Sequence, residues 1–543
     1  MGRESNIDSI RALEEQIKEH ERAVIKLKRA RNSLLDVSSL PPEVLGDIFC
    51  WNVTLKDDFG GLEKGSHNFL FVCHHWFEVA SRTTEIWTFW GNNIRDWDER
   101  YLRSSVAAPL DLVLDGLTYM FGYISESQQM ALKDRAARDT LRRVHLQSDR
   151  HDLLTSVIDP LLSPYGGLRT NSLESLILDN EDFEGIVDAS FVVCSHLSKL
   201  RCLKLVGCKI SSWDYVMPQT TLLTTLKLTL DDTSPAPAMH QLLSMLGSNP
   251  HLQKLELNSP AIPENGDDDD GGGGGGRGPY QVQLHHLEQL RLGGVVGRVL
   301  ELLRRLEHPR KLRELFVGLS HCAVTDISQR IGPYLQDYLQ RRGRSRDGLG
   351  LWFSSKSDIA LHVGDAGSFY PSTSLSARMT SFVSIVVDLD QALPDDRLGE
   401  LGLDLIAYTP REEAVYFRAC GSSEVLKDLP LRFPNLKTLD LCRAPLSAAF
   451  PILEQDGHRV LERFPPSLQH LSLERPHLGV HSWVPLLTFL SCRASSGNHL
   501  DSLLIEGRCH MCSRVAQLIK RMVRKFKVDG ECLRSWCPFD ECL

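Results

Sequence analysis

Between residues 141 and 505 the chain repeats one short hydrophobic phrase: a leucine, two variable positions, then two apolar residues separated by one. It runs Leu141-Val144-Leu146, Leu173-Leu176-Leu178, Leu200-Leu203-Leu205, Leu223-Leu226-Leu228, Leu252-Leu255-Leu257, Leu287-Leu290-Leu292 and Leu312-Leu315-Val317. After a gap it returns as Leu436-Leu439-Leu441, Leu468-Leu471-Leu473 and Leu500-Leu503-Ile505. Residues two apart in an extended chain share a face, so the last two apolar positions predict a strand, and the first closes the turn before it. One such unit cannot bury its own face, so the units must stack around a continuous core. Leu110, Leu112 and Leu114 predict a further strand ahead of the series. Between 318 and 435 the pieces 349–353, 382–387 and 414–417 read as strands that share no phase, and 334–339 reads as a helix leading into an arginine-rich loop at 341–346.

The N-terminal region has helical periods instead. Over 7–35, Ile10, Leu13, Ile17, Val24, Leu27 and Leu34 fall in heptad register, with His20 and Arg31 at two seam positions and charged flanks. This predicts one helix with a narrow apolar seam. It serves either as an arm for weak self-association or as a helix folded back on its neighbours. Next, Leu40-Pro41-Pro42-Glu43 is a helix start: proline lacks an N–H that the first turn leaves unbonded anyway, and Glu43 suits the positive end of the dipole. Val44, Leu45, Ile48 and Phe49 continue at helical spacing, Val72, Trp76 and Phe77 suggest a second helix, and Trp87 marks a third apolar segment. The polar stretch between Val53 and Asn68 lengthens the first link, which costs little because closure entropy grows slowly with loop length. The expected fold class is α/β, in three parts: an amphipathic helix at 1–36, a three-helix unit at 38–92, and an irregular solenoid with a parallel sheet at 105–543.

Composition narrows the function. A net charge of −9 over 543 residues argues against nucleic acid as the default partner. No stretch approaches the roughly 18 apolar residues of a membrane span. The N-terminus lacks a signal peptide's apolar core, Asn6 breaks the myristoylation pattern, and Cys542 is misplaced for prenylation. Fourteen cysteines without a secretory signal then read as reduced thiols, which places the protein in the cytoplasm, the nucleus or both. The segment 264–279, four aspartates followed by six glycines, can bury no apolar surface and predicts a flexible excursion between repeats. It lacks the ligand spacing of a calcium cage.

No phosphate-binding Gly-x-x-x-x-Gly-Lys, no His-Glu-x-x-His and no Gly-x-Ser-x-Gly occurs, so no enzyme, no catalytic residue and no cofactor is expected. Cys509, Cys512, Cys532, Cys537 and Cys542 could offer thiolates to zinc, but the second group is irregularly spaced. An amphipathic helix through Val515, Leu518, Ile519, Met522 and Phe526, with 526–528 as a closing strand, suits a capping unit better. The expectation is no metal.

Two resemblances follow. Leu-Pro-x-Glu at 40–43, Ile48-Phe49, Val72-Cys73-x-x-Trp76 and Trp87 together resemble the F-box. The repeats resemble a degenerate leucine-rich-repeat solenoid, although only Cys208 fills the place where that family puts Asn or Cys; Glu181 and Asp231 are among its replacements. The combination resembles the expanded F-box families of mushroom-forming fungi. The resemblance implies the substrate-recognition subunit of an SCF-type cullin ubiquitin ligase. Leu40, Pro41, Pro42, Val44, Leu45, Ile48, Phe49, Val72, Cys73, Trp76 and Trp87 would then bind the Skp-family linker, and the solenoid an unidentified protein substrate. The alternative is a leucine-rich-repeat scaffold that recruits no ligase, with its helices packed as a cap. The two differ in whether Pro41, Leu45, Ile48 and Trp76 stand exposed together or lie buried.

Overall fold

A computed structural model describes residues 2–34, 40–53, 67–91, 109–117, 126–162, 172–181, 185–192, 197–213, 222–263, 281–307, 312–342, 348–353, 358–364, 382–389, 404, 407, 416–420, 433–442, 450, 464–474, 483–507, 509–511, 513–529 and 532–533. The chain divides into two compact units, Met1–Leu223 and Thr224–Leu543.

The first unit opens with the helix Gly2–Ser33, whose seam residues Ile10, Leu13, Ile17, Val24, Leu27 and Leu34 are all exposed. It is therefore not folded back onto its neighbours. The helices Pro42–Val53 and His74–Arg82 follow, with short 3-10 turns at His67–Phe71 and Thr84–Thr88. A sheet begins directly afterwards, with β1 (Phe89–Gly91), β2 (Leu110–Leu117), β3 (Leu141–Ser148), β4 (Ser175–Asn180), β5 (Val187–Asp188) and β6 (Cys202–Lys209). β1, β2, β3, β4 and β6 pair in that order, all parallel, and β5 adds a short pairing to the end of β6. The register sets apolar rung against apolar rung: Val144 and Leu146 face Leu176 and Leu178, which face Leu203 and Leu205, and all six are buried. The strand expected at Leu110 is β2. It is preceded by β1, which the repeat pattern does not mark.

The second unit contains β7 (Thr225–Leu230), β8 (Lys254–Asn258), β9 (Val282–Gln283), β10 (Gln289–Val295), β11 (Leu306–Glu307), β12 (Glu314–Cys322), β13 (Gly348–Phe353), β14 (Asp358–Gly364), β15 (Phe382–Leu389) and β16 (Tyr416–Cys420). It ends with β17 (Thr438–Cys442), β18 (His470–Glu474), β19 (Leu500–Glu506), β20 (Cys509–His510), β21 (Val523–Asp529) and β22 (Cys532–Leu533). Hydrogen bonding orders the main strands β7-β8-β10-β12-β15-β14-β13-β16-β17-β18-β19-β21. The helices Met239–Gly247, Val296–Arg305, Trp483–Ser495 and Ser513–Met522 each link parallel strands.

Three expectations need correction. The sheet is not parallel throughout, since β14 runs antiparallel to both β13 and β15. Only residues 354–357 join β13 to β14, whereas a parallel crossover needs a dozen or more residues. The C-terminal helix stops at Met522, and Phe526 belongs to β21, opposite Leu503. Lastly, the turn-satisfying polar residue after β4 is Asn180, not Glu181: its buried Nδ2 donates to the Gly185 and Gly207 carbonyls, both at 2.9 Å. Gly207, at φ +62°, is required there, because a Cβ would collide with the Asn180 carbonyl oxygen. Cys208 is buried as expected, and burial, with Asp179 nearby, pushes its thiol up to about 12. The insert at 264–279, the link at 54–66, and Cys512, Cys537 and Cys542 lie outside the described residues.

Arg493 ties the last repeats together. Its guanidinium is buried and donates to the carbonyls of Pro465 at 3.2 Å, Pro466 at 3.3 Å, Leu468 at 2.8 Å and Asn498 at 3.0 Å. Burial holds its pKa below the usual arginine value. Met at this position would keep much of the volume and supply no donor. Arg493→Met should lower stability by about 2–4 kcal/mol, read as the loss of hydrogen-exchange protection in the helix Trp483–Ser495 over a urea series.

A candidate protein-docking face on the N-terminal helices

The helix Pro42–Val53 divides its apolar residues between two faces. Leu45 and Phe49 point inward and are fully buried. Gly46 between them lets the Thr83 side chain approach so closely that a Cβ would sit 2.9 Å from its Oγ1. Phe49 stacks on Phe69 with ring centroids 4.4 Å apart, and Trp76 tilts against it at 5.2 Å. Trp87 closes this small core, 3% exposed, its indole N–H donating to the Ala80 carbonyl at 2.7 Å.

The opposite face is apolar too. Val44, Ile48 and Trp51, spaced four and three residues apart, are 43%, 47% and 77% exposed. That spacing makes them one stripe along the helix. Beside the stacked Phe69, Phe71 and Val72 are 71% and 55% exposed. Pro41 and Pro42, at the helix start, are exposed as well. A single exposed apolar residue means little, but the stripe of Val44, Ile48 and Trp51, with Phe71 and Val72 exposed on the segment that follows, makes these helices a candidate docking surface.

The residues singled out in the sequence therefore separate into three groups. Pro41, Pro42, Val44, Ile48 and Val72 are accessible to a partner, and Leu40 is half-buried. Leu45, Phe49 and Trp87 are core and shape the face from behind. Cys73 and Trp76 stand between these groups. Cys73 precedes the helix His74–Arg82, so Val72 lies outside that helix, and its sulfur accepts from the Trp76 backbone N–H at 3.5 Å as an N-cap. Trp76 is half-buried, and its Nε1 has no partner among the described residues. Trp51 and Phe71 were missed, although continuing the Val44–Ile48 stripe by one more turn would have reached Trp51. Cys50 is half-buried, and its pKa is raised by burial first and then by Glu85 and Asp47, so it is no activated nucleophile.

Each unit also pairs charged side chains across neighbouring strands. In the second unit Lys227 pairs with Glu256 at 3.0 Å across β7 and β8, and Arg291 with Glu314 at 2.6 Å across β10 and β12. In the first, the buried Asp111 carboxylate takes a two-pronged hydrogen bond from Arg142, at 2.9 and 2.6 Å, which raises the arginine's pKa. Among the described residues no group of three or more His, Cys, Asp or Glu could hold a metal, and no helix is long and apolar enough to cross a membrane.

No protein-family model matches the chain, and no curated protein matches it. Among solved structures it is similar to a chain in the crystal structure of a TLR13–ssRNA13 complex, at 12% identity and a TM-score of 0.26. The match covers 82% of this chain, which spans 55% of that one. The repeat architecture thus rests on the strand register itself.

The two faces of the helix should respond differently to substitution. Val44→Asp with Ile48→Asp should leave the unfolding midpoint nearly unchanged, since exposed substitutions shift stability by about 0.5 kcal/mol. Phe49→Ala should cost about 3–5 kcal/mol. Thermal unfolding of the two variants makes the comparison.

Proposed function

We propose that this protein is a substrate-recognition adaptor of an SCF-type ubiquitin ligase. It binds a Skp-family linker through the N-terminal helices and holds a protein substrate on its parallel-sheet region. One observation carries the reading: Ile48 and Val72 of the F-box-like motif, with Val44 on the same helix as Ile48, are exposed, while Phe49 and Trp87 of the motif and the neighbouring Leu45 form the core. A motif that was only a packed cap would have no reason to leave one stripe of its first helix bare. The contact set is then Pro41, Pro42, Val44, Ile48, Trp51, Phe71 and Val72.

The chain itself performs no chemistry in this account. It holds a substrate lysine near a thioester carried by partner proteins in the cytoplasm or nucleus, raising effective concentration. The competing reading is a protein-interaction scaffold that recruits no ligase. It draws support from β1, which follows the helices at once and pairs with β2, joining the helical unit to the sheet.

Co-purification of the full chain with a Skp-family linker separates the two. Interface anchors typically contribute about 2 kcal/mol or more each. Val44→Glu with Ile48→Glu should therefore abolish a complex that the unaltered chain forms, while the variant stays folded. Failure of the unaltered, folded chain to bind the linker would favour the scaffold.

A further inference from the structure

The exposed seam of the helix Gly2–Ser33 is a second apolar surface, separate from the docking face. We infer that it pairs with the same helix of a second copy of this chain, as a parallel two-stranded coiled coil. This stands independently of the ligase reading.

The layer composition selects both partner and direction. Along the heptad, Ile10, Ile17, Val24 and Arg31 occupy the a positions, and Leu13, His20, Leu27 and Leu34 the d positions. β-Branched residues at a with leucine at d suit two parallel strands. Parallel pairing sets each residue against its own copy and yields six wholly apolar layers, with His20 and Arg31 each meeting its like. Antiparallel pairing with Ile10 opposite Leu34 sets Val24 against His20 and Leu13 against Arg31, twice each by symmetry. Half of the eight layers would then set a polar side chain against an apolar one, whereas parallel pairing confines the polar side chains to two layers.

The flanks agree with the parallel arrangement. Ser9, Gln16 and Ala23 at g would face Glu14, Glu21 and Lys28 at e of the partner, with no like-charge pair. The antiparallel arrangement would gain Glu14–Lys28 pairs but set Glu21 against its own copy. Exposed ion pairs contribute little, so the layers decide. The Arg31 layer is tolerable because its guanidinium already turns aside to the Asn32 side-chain oxygen, at 3.0 Å and 3.2 Å. Direction also has a consequence: a parallel pair keeps both Pro42–Val53 helices at one end of the coil. An antiparallel pair would part them by the coil's length, about 48 Å at 1.5 Å per residue. Parallel pairing thus makes the assembly bivalent towards a docking partner.

The test uses the full chain in light scattering at about 10–50 μM, beside Ile17→Lys/Val24→Lys and the outward-facing control Glu15→Lys. A dimer is expected for the unaltered chain and the control, with at least a tenfold rise in the dissociation constant for the seam variant. Because the seam supports nothing else in the chain, the unfolding midpoint of the rest should not move. Asn6→Cys, at the d position one heptad before Leu13, then reports direction: it should form an interchain disulfide on oxidation that the unsubstituted chain does not form. A monomeric unaltered chain, a dimer that survives the seam substitutions, or a dimer without the Asn6→Cys cross-link would each overturn the inference.

Discussion

Leu176 lies opposite Val144 on one side and Leu203 on the other, and Leu178 sits between Leu146 and Leu205 in the same way. This matching of rungs is the constraint on which the rest depends. Side chains alternate along a strand, so a slip of one residue would turn every leucine of a strand to the polar face. The second unit obeys the same rule, with Leu439 and Leu441 opposite Leu471 and Leu473, which face Leu503 and Ile505. Between β12 and β16, where the leucine phrase is absent, the register still sets apolar rungs together: Leu315 and Val317 lie opposite Val383 and Ile385, and Leu361 lies between Leu351 and Ile385. The antiparallel hairpin there keeps the backbone hydrogen bonds of the sheet continuous.

The N-terminal helices work within a tighter constraint. A unit this small has few residues to spare for a core, and Leu45, Phe49, Phe69, Ile86 and Trp87 supply most of it. Leaving Val44, Ile48, Trp51, Phe71 and Val72 in water forgoes burial that such a unit could use. That omission makes sense if a partner covers them. The helix that precedes them shows the same economy on a longer scale, with a seam that stays uncovered in the single chain.

Much of the sheet was legible because its signal is local. Three leucines at fixed spacing report strand, face and turn, and β3, β4, β6, β7, β8, β10, β12, β17, β18 and β19 all fall on that pattern. β1 was not legible, since three residues rich in aromatics carry no period. The antiparallel hairpin was missed for another reason: the short link at 354–357 dictates it, while the strand residues do not. Asn180 shows how a role can shift by one position: its side chain, not that of Glu181, reaches the Gly185 and Gly207 carbonyls. For the docking site, spacing identified the helix but could not assign sides. Val44, Leu45, Ile48 and Phe49 look alike in sequence, and only the stack of Phe49 on Phe69 tells which two face inward.

Hydrogen–deuterium exchange of the full chain, with and without a Skp-family linker, tests the central claim most directly. The account predicts new protection confined to residues 40–53 and 67–76 on addition of the linker, with the strands of the sheet unchanged. Protection appearing instead on the sheet, or no change at the helices under conditions where the linker binds, would contradict it.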